Sequence, residues 1–250
     1  MKHLLSIKEL SQTQLLDILA LAKKIKANPA EYRRALDGKS VVMLFEKPSL
    51  RTRVSFDIGI NKLGGHCLYL DQQNGALGKR ESVEDFATNI SCWADAIVAR
   101  TYSHTTIEKL AKHGSVPVIN ALSDLYHPCQ ALADFLSLSE QFDDVRNAKL
   151  AYVGDGNNVT HSLIYGAAIL GLTMTVICPE GYFPDALVVT EAQAIADAKA
   201  TAEKLAGVEL TMTAKVGTGN KLFGAIPNQN IADELTKAGV AIEKKFIQIV

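Results

Sequence analysis

The sequence predicts an α/β protein built on a parallel sheet with helices on both faces. Three observations support this fold class. Short apolar runs alternate with amphipathic segments over residues 40–142, as expected when strands and helices follow each other. The run Val41 to Phe45 is almost uniformly apolar, which is typical of a parallel strand covered on both faces. The alternation resumes after a polar break at residues 143–147, which predicts a second α/β domain.

The elements of the first domain can be placed in order along the chain. Ser11 and Gln14 have the spacing of a capping box, which predicts the start of an amphipathic helix. A strand at Val41 to Phe45 leads into a helix that begins at Ser49. Further strands are predicted at residues 66–71, 96–100 and 116–121, and further helices at residues 82–93, 105–113 and 127–142.

The second half of the chain changes character at about residue 189. Before that point, predicted strands at residues 149–155 and 173–178 flank a helix at residues 158–170. Beyond it, the pattern predicts a helix at 191–206, a strand at 208–216, a helix at 228–238 and a final strand at 240–250. The predicted domains are therefore residues 1–143, a truncated α/β domain at 144–189, and a small, truncated α+β unit at 190–250.

The charge, cysteine spacing and apolar runs of the sequence argue against several classes of function. The net charge is -1, so no overall basic surplus exists to hold nucleic acid or an anionic membrane surface. The four cysteines lack a Cys-x-x-Cys pair, which favours reduced thiols over a disulfide framework or a structural zinc site. The first residues have too short an apolar run for a signal peptide, and no stretch reaches transmembrane length. We therefore expect a cytoplasmic protein without a membrane partner.

The segment from Ser49 to Arg53 predicts an anion site. Ser49 is a helix N-cap candidate, and the first N–H groups of a helix carry the positive end of its dipole. Arg51 and Arg53 in the first turn oppose that dipole unless an anion lies between them. The alternative is an ordinary serine cap beside solvated arginines. A nucleotide phosphate loop is disfavoured because the sequence has no Gly-x-x-x-x-Gly-Lys run.

The longer run from Phe45 to Phe56, Phe-Glu-Lys-Pro-Ser-Leu-Arg-Thr-Arg-Val-Ser-Phe, resembles the carbamoyl-phosphate motif of the transcarbamylase family, in particular its ornithine carbamoyltransferase branch. The resemblance extends from residue 1 to about 189. It is also carried by the segments at residues 77–82, 99–100, 122–130 and 154–158. Residues 77–82 resemble a loop that reaches a neighbouring active site in this family, which implies a homotrimer through the first domain.

The resemblance implies carbamoyl phosphate and ornithine as substrates, in arginine biosynthesis. It places phosphate on Ser49, Leu50, Arg51, Thr52 and Arg53, and the carbamoyl group near Arg100, His127 and Gln130. Thr52, Arg100 and His127 would be catalytic, because they can stabilise the negative charge of a tetrahedral intermediate and of the departing phosphate. Asn158 would contact the amino acid, which favours ornithine over aspartate as the acceptor. The reaction needs no metal and no cofactor.

Two of these assignments have alternatives. A single histidine near a strand end is usually structural, although the setting of His127 in Asp-Leu-Tyr-His-Pro-Cys-Gln favours the catalytic interpretation. The neighbouring Cys129 is interpreted as a packed thiol. The segment at 154–158 could be taken for a dinucleotide fingerprint, but it lacks the third glycine at the required spacing, which excludes a nicotinamide cofactor.

The end of the chain departs from the transcarbamylase pattern. The family's Asp-x-x-x-Ser-Met-Gly and His-Cys-Leu-Pro segments are absent from residues 190–250, so we expect an incomplete acceptor site. Segments at 202–205, 214–217, 221–226 and 230–235 instead resemble the C-terminal domain of the ninth large-subunit ribosomal protein. That resemblance implies ribosomal RNA contacts through Lys215, Lys221 and Phe223.

Charge argues against RNA binding by this tail. Residues 191–250 hold seven basic and seven acidic side chains, so the tail lacks the positive charge of an RNA-binding module, and the alternative interpretation is a packing module. Two hypotheses follow for the whole chain. It is either a carbamoyltransferase or a non-catalytic hybrid that binds carbamoyl phosphate or RNA.

Overall fold

The structure, a computed structural model, describes residues 2–71, 77, 81–206, 227–242 and 244–246. Its contacts divide the chain into two units, Met1–Gln193 and Ala194–Val250. The helices are α1 (Gln12–Ala27), α2 (Leu50–Lys62), α3 (Val83–Ile90), α4 (His104–His113), α5 (Pro128–Gln141), α6 (Asn158–Leu170), α7 (Ala186–Leu205) and α8 (Asn228–Lys237). The strands are β1 (Ser40–Phe45), β2 (His66–Asp71), β3 (Ala96–Arg100), β4 (Val118–Leu122), β5 (Lys149–Val153) and β6 (Thr173–Ile177).

The first sheet is four-stranded and parallel, in the order β2-β1-β3-β4. Successive residues of β1 point to opposite faces, as the period of a strand requires. Leu44 packs on one face with residues of α3 and α4, while Met43 and Phe45 pack on the other with Ile60 of α2. Helices therefore cover both faces, and the predicted fold class is confirmed.

The second sheet pairs β5 with β6 in parallel. They are joined by α6, which ends at Gly171 in the left-handed conformation with a φ of 79°. Helix α6 is buried along most of its length because it also packs on α5. At Gly166, an added Cβ atom would lie 2.1 Å from Cε2 of Phe135 on α5. Only glycine fits at this helix crossing.

One face of the second sheet is open. Exposed and half-buried residues alternate along both β5 and β6. The exposed set includes Val153, with 75% of its surface accessible, and Ile177, with 54%. The other exposed positions on the two strands are Lys149, Ala151, Thr173 and Thr175, so this face mixes polar and apolar side chains.

Several boundaries differ from those predicted. Helix α7 begins at Ala186 rather than at residue 191, because the carboxylate of Asp185 accepts the N–H of Leu187 at 2.8 Å and so caps an earlier turn. The predicted final strand at residues 240–250 is wrong at Lys244–Phe246, which form a 3-10 turn. No strand among the described residues of the second unit is available to pair with it, and a lone strand leaves its backbone groups unpaired. The predicted strand at 208–216 lies outside the described residues.

Within the second unit, helix α8 buries Ala232 and Leu235. It ends at Lys237, and Gly239, with a φ of 88°, then turns the chain so that the N–H of Val240 reaches the carbonyl of Leu235 at 2.9 Å. Across the described parts of both units, every helix is too short or too polar to cross a membrane.

Candidate functional site

A cleft of about 430 Å³ opens where β1, β3 and β4 end. Loops at the carboxyl ends of parallel strands commonly carry functional residues in open α/β sheets. Six of the eight residues predicted to hold carbamoyl phosphate line this cleft, and they come from three separate chain segments. They are Ser49, Arg51, Thr52, Arg100, His127 and Gln130.

The start of α2 forms one wall of the cleft. Ser49 is extended, and its Oγ accepts the N–H of Thr52 at 3.4 Å, so it caps the helix as predicted. The same Oγ donates to Oγ1 of Thr52 at 3.0 Å. The N–H groups of the first turn have no intrahelical acceptor, and Arg51 stands beside them. This wall therefore offers the helix dipole, backbone donors and a guanidinium group to an anion.

Arg100 reaches the cleft from the end of β3. The register between β3 and β4 shifts between Ala99 and Arg100, and such an irregularity re-aims the side chain that follows it. Nη1 of Arg100 donates to Oγ1 of Thr52 at 3.4 Å. The residue is only 9% exposed, and burial lowers its pKa. Its buried Nε has no hydrogen-bond partner among the described residues, which leaves a donor open to a ligand.

His127 lies at the N-terminus of α5, followed by Pro128 in the first turn. Its backbone N–H donates to Oγ of Ser162 at 2.9 Å. Burial, together with the positive charge of Arg100, lowers the pKa of His127 to about 4. The imidazole is therefore neutral near pH 7. In the part of the chain that the structure describes, its buried Nδ1 has no partner.

The remaining side chains of the cleft are neutral. Gln130 is exposed, and its Nε2 donates to Oδ1 of Asp134 at 2.9 Å. Sγ of Cys129 donates to the carbonyl of Asn120 at 3.4 Å, and burial raises the pKa of this thiol to about 12. A thiol with such a pKa is a poor nucleophile, which supports its interpretation as a packed residue. Ser55 and Phe56 also line the cleft and were not predicted as site residues.

Three predicted site residues do not line the cleft. The Leu50 side chain is 79% exposed, so only its backbone can take part. The guanidinium of Arg53 lies over the ring of Tyr69, with 3.9 Å between its central carbon and the ring centre. Nδ2 of Asn158 donates to the carbonyl of Ser123 at 2.6 Å. These contacts hold Arg53 and Asn158 on neighbouring elements rather than in the cleft itself.

Helix α6 braces the loop that carries His127, a role that sequence reasoning missed. Asn158 binds the carbonyl of Ser123, Nδ1 of His161 lies 3.0 Å from the carbonyl of Leu125, and Ser162 accepts the N–H of His127. Nε2 of His161 accepts the N–H of Asp185 at 3.0 Å, which assigns the ring proton to Nδ1. The sequence signal for this role was the spacing of Asn158, His161 and Ser162, which places all three on one face of the helix.

Other predicted residues lie outside the described residues. They are Lys215, Lys221 and Phe223, together with Gly78, Lys79 and Arg80 of the predicted subunit-bridging loop.

Family comparisons match the chain in three parts. The carbamoyl-P binding domain of the aspartate/ornithine carbamoyltransferase family matches residues 2–140, and the Asp/Orn binding domain of that family matches residues 146–215. The C-terminal domain of ribosomal protein L9 matches residues 196–250. Two family matches overlap at residues 196–215, close to the change of pattern predicted from the sequence.

Individual relatives agree with the family matches. The ornithine carbamoyltransferase of Shewanella oneidensis is 81% identical over 196 residues, covering 78% of this chain and 65% of the relative. That of Methanocaldococcus jannaschii is 49% identical over 193 residues, covering 77% and 63%. The solved ornithine carbamoyltransferase of Pyrococcus furiosus superposes with a TM-score of 0.76 at 42% identity, covering 80% and 64%. The chain thus spans about 65% of the length of the curated relatives that it matches.

Proposed function

Because the chain belongs to the aspartate/ornithine carbamoyltransferase family, we propose that its cleft binds carbamoyl phosphate. The proposed reaction is transfer of the carbamoyl group to the side-chain amine of ornithine, which gives citrulline and phosphate. The observation that carries this proposal is the convergence of the α2 N-terminus, Arg100 and His127 on one cleft. The relatives that it resembles at up to 81% identity are named ornithine carbamoyltransferase, which supports ornithine over aspartate as the acceptor.

In this proposal the phosphate group lies at the start of α2. Ser49, Thr52 and the first-turn N–H groups donate hydrogen bonds, and Arg51 supplies a planar pair of donors. Leu50 contributes its backbone N–H only. Arg53 adds positive charge from its position over Tyr69. A hydrogen bond to a charged group contributes about 1.5–3 kcal/mol, so the loss of Arg51 should weaken binding by roughly 10- to 100-fold.

The carbamoyl group lies towards Arg100, His127 and Gln130. The amine nitrogen of ornithine forms a bond to the carbonyl carbon, whose oxygen takes up negative charge in the tetrahedral intermediate. The bond from that carbon to the phosphate oxygen then breaks, phosphate leaves with the electron pair, and the attacking nitrogen loses a proton. Arg100 and the neutral imidazole of His127 can stabilise the charged oxygen without a change in their own protonation.

Each such donor is expected to contribute about 2.7–4 kcal/mol to lowering the barrier, as at other oxyanion sites. Thr52 bridges the two halves of the site, because it accepts from Arg100 and belongs to the phosphate-binding turn. We therefore propose Thr52, Arg100 and His127 as the catalytic residues.

The part of the site that would bind ornithine is less complete in this chain than the part that would bind carbamoyl phosphate. We propose Asn158 as its ornithine contact, from its place at the start of α6. About a third of each relative has no counterpart in the matched region, and the family's further ornithine-binding segments are absent from the sequence. Orientation of two substrates contributes roughly 7–11 kcal/mol to such a reaction. The chain on its own should therefore bind carbamoyl phosphate well and form citrulline slowly.

The family resemblance also supports a homotrimer through the first domain, a cytoplasmic location, a role in arginine biosynthesis, and domains at residues 1–143, 144–189 and 190–250.

A second candidate function is ribosomal RNA binding by the tail, favoured by the match to the ribosomal protein L9 domain. Lys215, Lys221 and Phe223 would carry it. The balance of acidic and basic charge over residues 191–250 favours a packing role instead.

Calorimetry with carbamoyl phosphate tests the main proposal, with citrulline formation measured in parallel. Saturable binding that Arg51→Ala weakens, and that the exposed control Arg33→Ala leaves unchanged, is the expected result. Equal affinity of the two variants for carbamoyl phosphate would show that the cleft is not its binding site. Ribosomal RNA binding that is lost in a Lys215→Ala, Lys221→Ala double variant would favour the second candidate.

A further inference from the structure

The side chain of Gln130 is held in one orientation at the edge of the cleft. Gln130 lies in the first turn of α5 and lines the cleft together with Ala133. Its Nε2 donates to Oδ1 of Asp134 at 2.9 Å. Gln130 and Asp134 are four positions apart on one helix, so their side chains are neighbours on the same face. Asp134 itself is half-buried and does not line the cleft.

The carboxyl group of Asp134 decides which end of the Gln130 amide it can bind. An ionised carboxylate accepts hydrogen bonds but cannot donate them. Only the NH2 end of the amide can therefore be bound to Asp134. The other end, Oε1 of Gln130, has no hydrogen-bond partner in the part of the chain that the structure describes. Asp134 thus holds Gln130 so that its carbonyl oxygen is available to a ligand in the cleft.

This carbonyl oxygen differs from the other polar groups of the cleft. Among the described residues that line the cleft, only Gln130 carries a side-chain carbonyl group. Arg51 and Arg100 can only donate hydrogen bonds. The hydroxyl groups of Ser49 and Thr52 are already bound to each other at 3.0 Å. An N–H group of a ligand beside Gln130 therefore has an acceptor at Oε1.

Carbamoyl phosphate carries such an N–H group, and acetyl phosphate does not. The two molecules share the phosphate and the carbonyl oxygen, but the NH2 group of the first is replaced by a methyl group in the second. An NH2 group beside Oε1 of Gln130 forms a hydrogen bond, whereas a methyl group there leaves this oxygen unpaired. A binding site discriminates against an analogue that leaves its polar groups unpaired. The orientation of Gln130 therefore bears on the choice of substrate.

We propose that Asp134 is a positioning residue that fixes the amide of Gln130 and so sets the preference of the cleft for carbamoyl phosphate over acetyl phosphate. Without Asp134 the amide can turn over, which brings its NH2 end to the NH2 group of the ligand, and two donors cannot bind each other. The preference is modest, because Gln130 is exposed and the contact is a single neutral hydrogen bond. This role rests on the proposed function, which places the carbamoyl group near Gln130.

Calorimetry with carbamoyl phosphate and with acetyl phosphate tests this role in the full chain. The measured quantity is the ratio of the two affinities, in the parent and in Asp134→Ala. Both ligands carry the same phosphate group, so the loss of the Asp134 charge changes both affinities alike and cancels in the ratio. Asp134→Ala should lower the ratio by about 2- to 12-fold, which corresponds to one neutral hydrogen bond.

Further variants separate orientation of the amide from packing. Asp134→Asn keeps the shape of the side chain but can donate as well as accept, so both orientations of Gln130 become available and the ratio should lie between those of the parent and Asp134→Ala. Gln130→Ala should lower the ratio by itself, and adding Asp134→Ala should lower it no further. Asp233→Ala is the matched control with a parental ratio. Asp233 accepts from Nε2 of Gln229 at 2.8 Å with the same spacing on α8, and it does not line the cleft.

The outcomes separate this role from the proposed function. If the parent binds carbamoyl phosphate and the ratio in Asp134→Ala equals or exceeds the parental ratio, the role of Asp134 is overturned and the proposed function stands. A parental ratio in Asp134→Asn, or a further fall in the double variant, also overturns it, because Asp134 then acts by packing or without Gln130. Asp134→Asn decides the question if Asp134→Ala does not fold. A parent that binds neither ligand overturns the proposed function and this role with it.

Discussion

The guanidinium of Arg53 stacks on the ring of Tyr69, 3.9 Å from its centre, and so lies over β2 rather than in the cleft. Tyr69 in turn packs edge-on against Phe45, with 5.3 Å between ring centres. The stack therefore connects the first turn of α2 to two strands of the sheet. The two arginines of the Ser-Leu-Arg-Thr-Arg run have different surroundings, and they should respond differently to substitution.

Arg53→Ala should lower the free energy of unfolding by about 0.5–1 kcal/mol, the usual contribution of an exposed cation–π contact. It should weaken carbamoyl-phosphate binding less than Arg51→Ala does. Urea denaturation of Arg53→Ala, Tyr69→Leu and the double variant gives the coupling between the two residues. Equal losses of affinity in the two arginine variants would contradict the difference in their positions.

Arg100→Lys should reduce carbamoyl-phosphate affinity by about tenfold or more, although it keeps the positive charge. Lysine lacks the planar set of donors that lets Arg100 reach Thr52 while leaving Nε for a ligand. Calorimetry measures the loss, with Arg33→Lys at an exposed position as the control. Unchanged affinity in Arg100→Lys would mean that charge alone is sufficient.

Ser162→Ala removes the acceptor for the N–H of His127 and should destabilise the loop before α5. The expected cost is about 1–3 kcal/mol, the range for a part-buried donor left without its partner. Ser162 is a positioning residue, so carbamoyl-phosphate affinity should fall while the helix content by circular dichroism is kept. Ser137→Ala is the control, because Oγ of Ser137 donates to the carbonyl of Ala133 in its own helix. The prediction fails if both variants bind carbamoyl phosphate equally well.

His127 should make stability depend on pH. Its pKa is about 4 in the folded chain against an ordinary value of 6.5, so the unfolded state binds a proton between these values that the folded state does not. The contribution of neutral His127 to the free energy of unfolding is fully present above pH 6.5 and is lost as the pH falls towards 4. His127→Asn should therefore flatten the pH dependence of urea stability in this window. Part of the slope should remain, because burial also lowers the pKa of His104.

Gly166→Ala should destabilise the fold even though alanine favours helix formation by about 1 kcal/mol. The added Cβ would meet the ring of buried Phe135 at 2.1 Å, and overpacking typically costs about 1–3 kcal/mol. Thermal unfolding of Gly166→Ala with and without Phe135→Leu provides the check. The smaller side chain should recover part of the loss, and a Gly166→Ala variant as stable as the parent would exclude this clash.

The sheet and the anion site at the start of α2 were predictable because their signals are local, whereas Arg100, His127 and Gln130 were predicted through the resemblance to the transcarbamylase family. Apolar runs identified β2 and β3 to the residue, and the Ser49 cap identified the start of α2. The orientation of Arg53 was not predictable, because its partner Tyr69 lies on another strand. The hydrogen bond from His127 to Ser162 and the half-buried, neutral state of the His127 ring likewise depend on tertiary contacts. The predicted final strand was wrong at Lys244–Phe246, because alternation alone does not supply a pairing partner.

The hydrogen bonds from α6 cross the boundary between the two matched family domains. Their donors and acceptors lie at Asn158, His161 and Ser162, while the loop that they hold ends at His127. A chain cut at residue 143 would lose all three, whereas an exchange of sequence near residue 196 leaves them in place. The shape of the cleft wall at His127 therefore depends on residues of both matched domains, and the first matched domain alone does not contain all of the groups that hold it.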